Sequence, residues 1–432
     1  MSIFNRADDN GIARGERALL VVPERIGQAG LRSIDARMDE ATGLAEAIGI
    51  DVVARKSFRL RQARPASLFG KGQAEEIADL ARTDDATLVL IDAILTPVQQ
   101  KNLETISKCK VIDRTGLILE IFGERAVTAE GRLQVELAHL DYQAGRLVRS
   151  WTHLERQRGG FGFLGGPGET QIEADRRMIR DRMARIRKEL DQVKRTRGLH
   201  RDRRQRAPWP VVALVGYTNA GKSTLFNRLT AASVMAEDLL FATLDPTMRQ
   251  FKLPGFDKAI LSDTVGFVSN LPTQLIAAFR ATLEEVASAD LILHIRDRSH
   301  PESDAQAADV AQILKDLSLD EPDSPPRLEV WNKIDRMEGD ERAEMLGEAE
   351  RRDDVVAVSA LTGEGIDQMV TQIAKLLSAN AGMHQLKLSS GDGPRIAWLH
   401  ARGDVLDQRS DGDTLHLAVK LSPENWERFQ RL

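Results

Sequence analysis

The chain has 432 residues with a formal net charge of −5, and 42% of its residues are hydrophobic and 29% are charged. This length is sufficient for two or three hydrophobic cores, and no apolar run approaches the length of a membrane span. The single cysteine, Cys109, excludes internal disulfides and multi-cysteine metal sites, and the polar N-terminus is unlike a secretory signal. We therefore expect a cytoplasmic protein of several domains without a membrane span. We also expect a monomer, although these features do not determine the oligomeric state.

The first 130 residues alternate short apolar runs with helical patterns, which is typical of an α/β unit. We predict strands at 18–22 and 86–91, and helices at 31–48, 72–82 and 97–107. A glycine turn at 69–72 carries one basic residue, Lys71, which is able to contact phosphate. A plain loop is the favoured interpretation of that turn.

The stretch from 131 to 206 has the pattern of two paired helices joined by a glycine-rich tip. Apolar residues recur at alternating spacings of four and three in both arms, namely Leu133, Leu137, Leu140, Ala144, Leu147, Ile179, Met183, Ile186, Leu190 and Val193. We expect these arms to form an antiparallel helical hairpin. Its tip, 158–168, is too rich in glycine to pack a core and is followed by a return to helix.

Charge suggests what this hairpin binds. Residues 146–206 contain 18 Lys and Arg against 8 Asp and Glu, a balance of +10, which leaves −15 for the rest of the chain. This asymmetry is typical of an arm that binds a polyanion, although a solvated helical face is the alternative. Because Arg predominates and the tip carries aromatic residues suited to stacking on unpaired bases, we favour nucleic acid. The candidate RNA-binding residues are Arg158, Phe161, Phe163, Arg176, Arg177 and Arg180.

A phosphate-binding pattern follows the apolar strand 211–215. It consists of Gly216, Tyr217, Thr218, Asn219, Ala220, Gly221, Lys222 and Ser223. Its glycines let backbone amides point at phosphate oxygens at the positive end of a helix. Lys222 supplies charge to the outer phosphates, and the Ser223 hydroxyl is placed to ligate Mg²⁺. A glycine-rich βα turn is the alternative, but it needs neither the lysine nor the hydroxyl, so the pattern predicts nucleoside triphosphate binding.

Two further motifs occur in the order that a guanine-nucleotide switch requires. The strand 258–262 ends in Asp263, Thr264, Val265 and Gly266. Asp263 can hold Mg²⁺ through water, and the Gly266 amide can meet the γ-phosphate. Between this motif and the phosphate loop we choose Thr243 as the second hydroxyl on the metal. The predicted nucleotide contacts around it are Phe241, Ala242, Thr243, Leu244 and Asp245.

The base is predicted from a strand at 328–331 that runs into a short polar motif. A carboxylate at Asp335 can accept hydrogen bonds from N1–H and the exocyclic amine of guanine, whereas adenine has no 2-amino group. By itself the motif is as typical of a helix-capping turn, but its distance from the phosphate loop favours guanine. The strand 355–358 then places a loop against the base. The predicted base-site residues are Asn332, Lys333, Ile334, Asp335, Val358, Ser359 and Ala360.

The C-terminal stretch has the pattern of a small α+β domain without recognisable chemistry. Alternation predicts strands at 395–400 and 414–421, and Ser422 and Pro423 predict the start of a helix. We expect a docking surface or a cover. The predicted fold class is thus multi-domain α/β, with an N-terminal α/β domain at 1–130, the basic hairpin at 131–206, a P-loop GTPase domain at 207–380 and the α+β domain at 381–432.

This ordered set of motifs resembles the translation-factor-related GTPases, and the run 238–247 particularly resembles the HflX family of ribosome-associated GTPases. The resemblance implies binding to the large (50S) ribosomal subunit and its ribosomal RNA, with the hairpin tip reaching the peptidyl-transferase region. It also implies dissociation of stalled ribosomes under stress. The residues themselves indicate GTP binding, slow hydrolysis and a polyanion-binding arm. A ribosome-assembly GTPase, and a nucleotide-gated RNA-binding or remodelling module, stay open.

One departure from the best-known small GTPases concerns catalysis. Phe267 occupies the position of the glutamine that orients the attacking water, and it can neither donate nor accept a hydrogen bond. We therefore expect slow intrinsic hydrolysis. Asn219 resembles an asparagine that binds K⁺ in some glutamine-lacking GTPases, with a loop-bracing role as the alternative, and a partner that orders the loops is a second candidate. The predicted catalytic residues are Asn219, Lys222 and Gly266.

Overall fold

A computed structural model divides the chain into two compact units, which are described separately. The first comprises residues 1–196, 238–245 and 269–280, and the second comprises 197–237, 246–268 and 281–432. The structure describes residues 14–25, 32–149, 171–205, 209–230, 241, 247–269, 286–316, 319, 324–379, 382–421 and 423–430. Both units combine helices with β-sheets, which confirms the predicted α/β class.

A parallel four-stranded sheet lies at the centre of the first unit, in the order β2-β1-β3-β4. Its strands are β1 (Arg17–Arg25), β2 (Asp51–Leu60), β3 (Leu88–Ile91) and β4 (Lys110–Asp113). β1 and β3 confirm the two predicted strands. The sequence did not predict β2, which is a largely half-exposed edge strand with charged residues, or β4, which has only four residues.

Four helices pack against this sheet. They are α1 (Ile34–Glu46), α2 (Lys71–Thr83), α3 (Pro97–Ser107) and α4 (Arg114–Arg125). The first three confirm predicted helices, whereas α4 was not predicted. The predicted glycine turn leads into α2, where the Gly70 N–H donates to Gln73 Oε1 at 3.0 Å. Phe69 before it is fully buried, so this turn serves the core and the helix start.

Charges that are distant in sequence meet in the first unit, and we name Glu40, Asp92, Arg114 and Ser269 the Arg114 cluster. Arg114 Nη1 donates to Asp92 Oδ1 at 2.5 Å, and Nη2 donates to Glu40 Oε1 and, at 2.9 Å each, to the carbonyl and hydroxyl oxygens of Ser269. The Arg114 side chain is 6% exposed. Burial alone would lower the pKa of the guanidinium, but Asp92 and Glu40 outweigh burial and raise it.

Two more arginines complete the pairing of these carboxylates. Arg37 Nη2 lies 2.7 Å from Asp92 Oδ2, and Arg32 Nη1 lies 2.5 Å from Glu40 Oε2.

Helix α4 also carries Phe122, whose ring contacts that of Phe241 edge to face, with the ring centroids 4.6 Å apart. Within the first unit, α4 therefore contacts two residues that lie close in sequence to the predicted switch motifs.

Two long helices confirm the arms of the predicted hairpin, α5 (Ala129–Arg149) and α6 (Gln171–Gln205). Arg182 of α6 makes a bidentate ion pair with Glu136 of α5, at 2.7 and 2.9 Å. Of the predicted seam, Met183, Ile186 and Leu190 are buried, and Leu133, Leu137, Leu140 and Ala144 are half-buried. The predicted tip and the side chain of Leu147 lie outside the described residues.

The second unit contains a six-stranded sheet in the order β10-β9-β8-β5-β7-β6, in which β6 alone is antiparallel to its neighbour. Its strands are β5 (Val211–Gly216), β6 (Thr247–Leu253), β7 (Phe256–Asp263), β8 (Leu291–Asp297), β9 (Arg327–Asn332) and β10 (Val355–Ala357). β5, β7, β9 and β10 confirm predicted strands. Their carboxyl ends lie along one edge, where ligands of such sheets bind.

The helices of this part of the second unit are α7 (Lys222–Thr230), α8 (Ser303–Asp316), α9 (Gly339–Glu350) and α10 (Ile366–Ala379). Residues of α7, α10 and all six strands form its hydrophobic core, including Leu225, Phe226, Met369 and Ile373. Among all the helices that the structure describes, none combines the length and the apolar character needed to cross a membrane.

A three-stranded antiparallel sheet, ordered β11-β13-β12, lies near the C-terminus. Its elements are β11 (Gly382–Ser389), α11 (Gly393–Arg402), β12 (Asp404–Asp411), β13 (Thr414–Leu421) and α12 (Pro423–Gln430). The predicted strand at 414–421 is confirmed, but the strand predicted at 395–400 is wrong. Asp392 caps a helix there by accepting from the Arg395 N–H, and Pro394 lies in its first turn. Ser422 lies outside the described residues.

Candidate nucleotide-binding site

The phosphate loop lies between the end of β5 and the start of α7, at the carboxyl edge of the six-stranded sheet. Asn332, at the end of β9, donates from Nδ2 to the Ala220 carbonyl at 2.8 Å. Gly221 has a φ of +94°, and a Cβ there would lie 2.1 Å from Asn332 Nδ2. Only glycine fits at position 221. The hydrogen bond between Asn332 and Ala220 shows that the fold brings the predicted phosphate and base motifs into direct contact.

Lys222 is buried beneath this loop and organises it. Its Nζ donates to the carbonyls of Gly216 at 3.1 Å and Tyr217 at 2.7 Å. Burial lowers the pKa of Lys222 to about 8, with Lys333 acting in the same direction and Asp263 opposing both. A buried ammonium with a depressed pKa gains from a nearby anion, which is the chemistry expected of a phosphate site.

The predicted metal ligands Ser223 and Asp263 lie together. Ser223 Oγ is 3.0 Å from Asp263 Oδ2, and Asp263 is fully buried at the end of β7. A hydroxyl and a carboxylate oxygen are ligands that suit Mg²⁺, which binds few protein groups and retains several waters. The third predicted ligand, Thr243, lies outside the described residues.

The segment after Asp263 runs beside the phosphate loop. The Thr218 N–H donates to the Phe267 carbonyl at 2.7 Å, and the Phe267 N–H donates to the Gly216 carbonyl at 3.1 Å. The Phe267 side chain is 2% exposed. Lys222 Nζ lies 3.1 Å from the position that a Cβ on Gly266 would take. Gly266 therefore borders the phosphate loop and its lysine, while Phe267 packs into the core.

On the base side, two polar residues of the β9 motif hold the loop after β10. Asp335 Oδ1 accepts a hydrogen bond from Ser359 Oγ at 2.6 Å. Asn332 Oδ1 accepts from the Ala360 N–H at 2.9 Å. Asn332 thus links the phosphate loop to the predicted base loop through its one side-chain amide, and Asp335 lies beside that loop, half-buried.

Sequence reasoning missed one partner in this region. Lys333, whose φ is +64°, places Nζ 2.8 Å from Asp297 Oδ2, and Asp297 is the last residue of β8. The signal available was a run at 291–295, apolar except for His294, that leads to a carboxylate at a strand end. Ile334 is buried, and its N–H faces the Val358 carbonyl at 3.4 Å.

The structure gathers most of the predicted nucleotide residues at one edge of the second unit. These are Gly216, Tyr217, Thr218, Asn219, Ala220, Gly221, Lys222, Ser223, Asp263, Thr264, Val265, Gly266, Asn332, Lys333, Ile334, Asp335, Val358, Ser359 and Ala360. Asn219 is exposed and has a φ of +58°. Phe241 belongs to the first unit. Ala242, Thr243, Leu244 and Asp245 lie outside the described residues.

The candidate RNA-binding residues divide between α6 and the tip. Arg177 and Arg180 are exposed on α6, and Arg176 is half-buried there. Arg180 Nε donates to the Arg176 carbonyl at 3.3 Å. The tip residues Arg158, Phe161 and Phe163 lie outside the described residues.

Four family models match the chain in order and cover most of its length. They are a GTP-binding GTPase N-terminal region at 35–123, a GTP-binding GTPase middle region at 125–204, a 50S ribosome-binding GTPase at 211–333 and an HflX C-terminal domain at 344–432.

Among similar curated proteins, the GTPase HflX of Magnetococcus marinus is 49% identical over 393 residues, which are 91% of this chain and 90% of that protein. The GTPase HflX of Escherichia coli (strain K12) is 42% identical over 393 residues, 91% of each. A solved GTP-binding protein of Sulfolobus solfataricus, in complex with GDP, is 22% identical, covering 84% of this chain and 99% of that one with a TM-score of 0.45.

Proposed function

The chain belongs to the HflX family of GTPases, which bind and hydrolyse GTP, and from this premise we propose that its GTP cycle controls binding to the large ribosomal subunit. The outcome that we propose is dissociation of stalled ribosomes in the cytoplasm under stress. We propose that the protein acts as a monomer. The 50S ribosome-binding GTPase model that matches 211–333, and the basic arm, support the choice of partner.

The observation that carries the nucleotide assignment is the double role of Asn332. One amide side chain joins the Ala220 carbonyl of the phosphate loop to the Ala360 N–H of the base loop. The phosphate loop and the proposed base loop are thereby held at one distance. Asp335 can accept from the base with both carboxylate oxygens, because Ser359 Oγ occupies only one lone pair of Oδ1. We assign guanine recognition to Asp335 because it can pair with N1–H and the 2-amino group together.

Mg²⁺ is the metal that we propose for this site, held by Ser223, by Asp263 through water and by Thr243. When bound, it neutralises charge on the phosphates. The oxygens of half-buried Ser223 and buried Asp263, 3.0 Å apart, fit that ion. We further propose K⁺ at Asn219, whose exposed side chain projects from the phosphate loop. Asn219 would thereby assist hydrolysis in place of the glutamine that Phe267 replaces. The Phe267 side chain is packed into the core and cannot orient the attacking water.

A direct test of the partner is sedimentation with purified large subunits, in the presence of GDP or a non-hydrolysable GTP analogue. We expect the analogue to favour binding. The double charge reversal Arg177→Glu and Arg180→Glu should weaken binding at least about ten-fold. It should also reduce the slope of log affinity against log salt concentration by the amount expected for about two lost phosphate contacts. Arg61 and Lys101, two exposed basic residues of the first unit, provide the charge-matched control when reversed together.

Equal weakening in the two reversed proteins would show that net charge, and not the arm, determines binding. In that case the arm is a solvated helical face. A preference for precursor particles over mature subunits would favour a ribosome-assembly GTPase instead. Binding that is independent of the nucleotide would contradict control by the GTP cycle.

A further inference from the structure

Arg228 joins the helix of the phosphate loop to the predicted base loop. It lies on α7, six residues after Lys222. Its Nε donates to the Ala360 carbonyl at 2.6 Å, and its Nη2 donates to the Leu361 carbonyl. One guanidinium therefore binds two successive carbonyls of the loop 359–364. Hydrogen bonds from a charged donor are about twice as strong as those between neutral groups.

The loop is shaped around this side chain. Gly363 has a φ of +97°, and a Cβ there would lie 2.7 Å from Arg228 Nη1. Within the loop, the Gly363 N–H donates to the Ser359 carbonyl at 2.8 Å, and the Thr362 N–H donates to Ser359 Oγ at 3.0 Å. The chain thus makes a tight turn whose carbonyls face the guanidinium, and the positive φ at Gly363 favours glycine at this position.

The same loop is held from the opposite side by the base motif. Asp335 accepts from Ser359 Oγ, and Asn332 accepts from the Ala360 N–H. Ala360 is consequently fixed at both of its backbone polar groups, with Asn332 at the N–H and Arg228 at the carbonyl. Asn332 also binds Ala220, so the phosphate loop and its helix are connected to the base loop at two points, about two turns apart.

We propose that Arg228 is a positioning residue for guanine recognition, acting through the loop 359–364. It fixes Ala360 and Leu361 before the nucleotide arrives, and so reduces the ordering cost of binding the base. This inference rests on the proposed assignment of Asp335 and Ala360 to the guanine site. Arginine is required because a lysine offers one compact ammonium and cannot reach two carbonyls with a rigid fork.

The test measures displacement of fluorescent GDP by GDP and by ADP, so that it reports only sites that hold the fluorescent ligand. For Arg228→Ala we expect GDP affinity to fall about ten-fold or more, since a charged hydrogen-bond pair is lost. ADP affinity should change less than about two-fold, because adenine cannot make the paired hydrogen bonds to Asp335 that the loop supports. Stopped-flow dissociation of fluorescent GDP should accelerate by the same factor as the loss of GDP affinity. Arg228→Lys should lie between the wild type and Arg228→Ala.

Arg249, an exposed arginine of β6, provides the matched control, and Arg249→Ala should leave both affinities unchanged. Circular dichroism melts establish that each variant is folded, which the exposed position of Arg228 favours. Equal losses of GDP and ADP affinity in Arg228→Ala would overturn the inference, because Arg228 would then support the domain and not the base. Unchanged GDP affinity would overturn it as well.

Asp335→Asn in the same assay distinguishes this inference from the proposed function. If Asp335→Asn loses the preference for GDP over ADP and Arg228→Ala keeps it, only the role of Arg228 is wrong. If Asp335→Asn keeps the preference, the base assignment itself is wrong, and the inference built on it falls too. Loss in both variants, with ADP affinity preserved, supports both.

Discussion

The candidate nucleotide site and the Arg114 cluster both bury charged groups, but the two regions differ in how far neighbouring groups compensate those charges. In the Arg114 cluster, each carboxylate meets arginines, and the pKa of Arg114 is raised by Asp92 and Glu40 despite burial. In the nucleotide site, the Lys222 ammonium donates to two neutral carbonyls, and burial lowers its pKa to about 8. A cation left without full compensation indicates where an anionic ligand is expected.

The two regions also differ in how their residues are spaced along the chain. The nucleotide site consists of contiguous motifs, 216–223, 263–266 and 332–335. The Arg114 cluster joins residues up to 229 positions apart, as in the hydrogen bond from Ser269 Oγ to Glu40 Oε1. We infer that the first region is needed for binding and the second for folding. Four predictions test this division.

The largest effect is expected at Lys222. Lys222→Ala should reduce GTP turnover by about 10²–10³-fold, because it removes a preorganised charge from the phosphates. The free energy of unfolding without nucleotide should not fall, because the substitution also removes a buried, poorly compensated ammonium. Turnover and urea unfolding of the same preparation check both statements. A large loss of stability would contradict the division.

Arg114→Ala should act in the opposite way. The substitution removes one cationic partner from each of the buried carboxylates of Glu40 and Asp92. We expect a loss of about 3–5 kcal/mol in the free energy of unfolding. GDP affinity of the folded protein should change less than about three-fold, since no nucleotide contact is removed. Arg55→Ala is the control, because Arg55 and Asp39 form an exposed pair in the same unit. That pair is worth at most about 1 kcal/mol. Similar unfolding curves for the two variants would count against the Arg114 cluster as a folding element.

A smaller effect on turnover is expected at Asn219. If this asparagine holds K⁺, turnover should be about ten-fold higher in K⁺ than in Na⁺, and Asn219→Gly should abolish the difference. Glycine is the informative substitution because Asn219 has a φ of +58°, which glycine adopts without strain. Asn219→Ala would add about 1 kcal/mol of backbone strain and confuse the comparison. A preserved K⁺ effect in Asn219→Gly would leave the residue with a loop-bracing role.

The smallest effect concerns pH. The pKa of Lys222 is about 8 in the fold and 10.5 ordinarily, so between these values the unfolded chain binds one more proton than the folded chain. The contribution of Lys222 to the free energy of unfolding therefore rises as the pH increases from about 8 to 10.5. Without nucleotide, Lys222→Met should be more stable than wild type by roughly 1–3 kcal/mol at pH 7, with the difference shrinking above pH 8. Unfolding of both proteins at pH 7 and 9.5 measures it, and a constant difference would contradict the lowered pKa.

The division by sequence spacing also explains what could be predicted. β5, β7 and β9 are apolar runs that end in short motifs, so the strand and the site residues were found together. Asp297 and Arg228 act through partners 36 and 132 positions away, and no local pattern identifies them. The strand predicted at 395–400 was wrong because the cap at Asp392 and the nearby Pro394 outweigh a short alternation.

The most direct test of the proposed function is GTP turnover with and without purified large ribosomal subunits, in K⁺ and in Na⁺. It should include a chain that lacks residues 159–168 of the predicted tip. We predict slow turnover alone, strong stimulation by large subunits, and loss of most of that stimulation when the tip is removed. Turnover that large subunits fail to stimulate in either salt would contradict a ribosome-controlled GTPase.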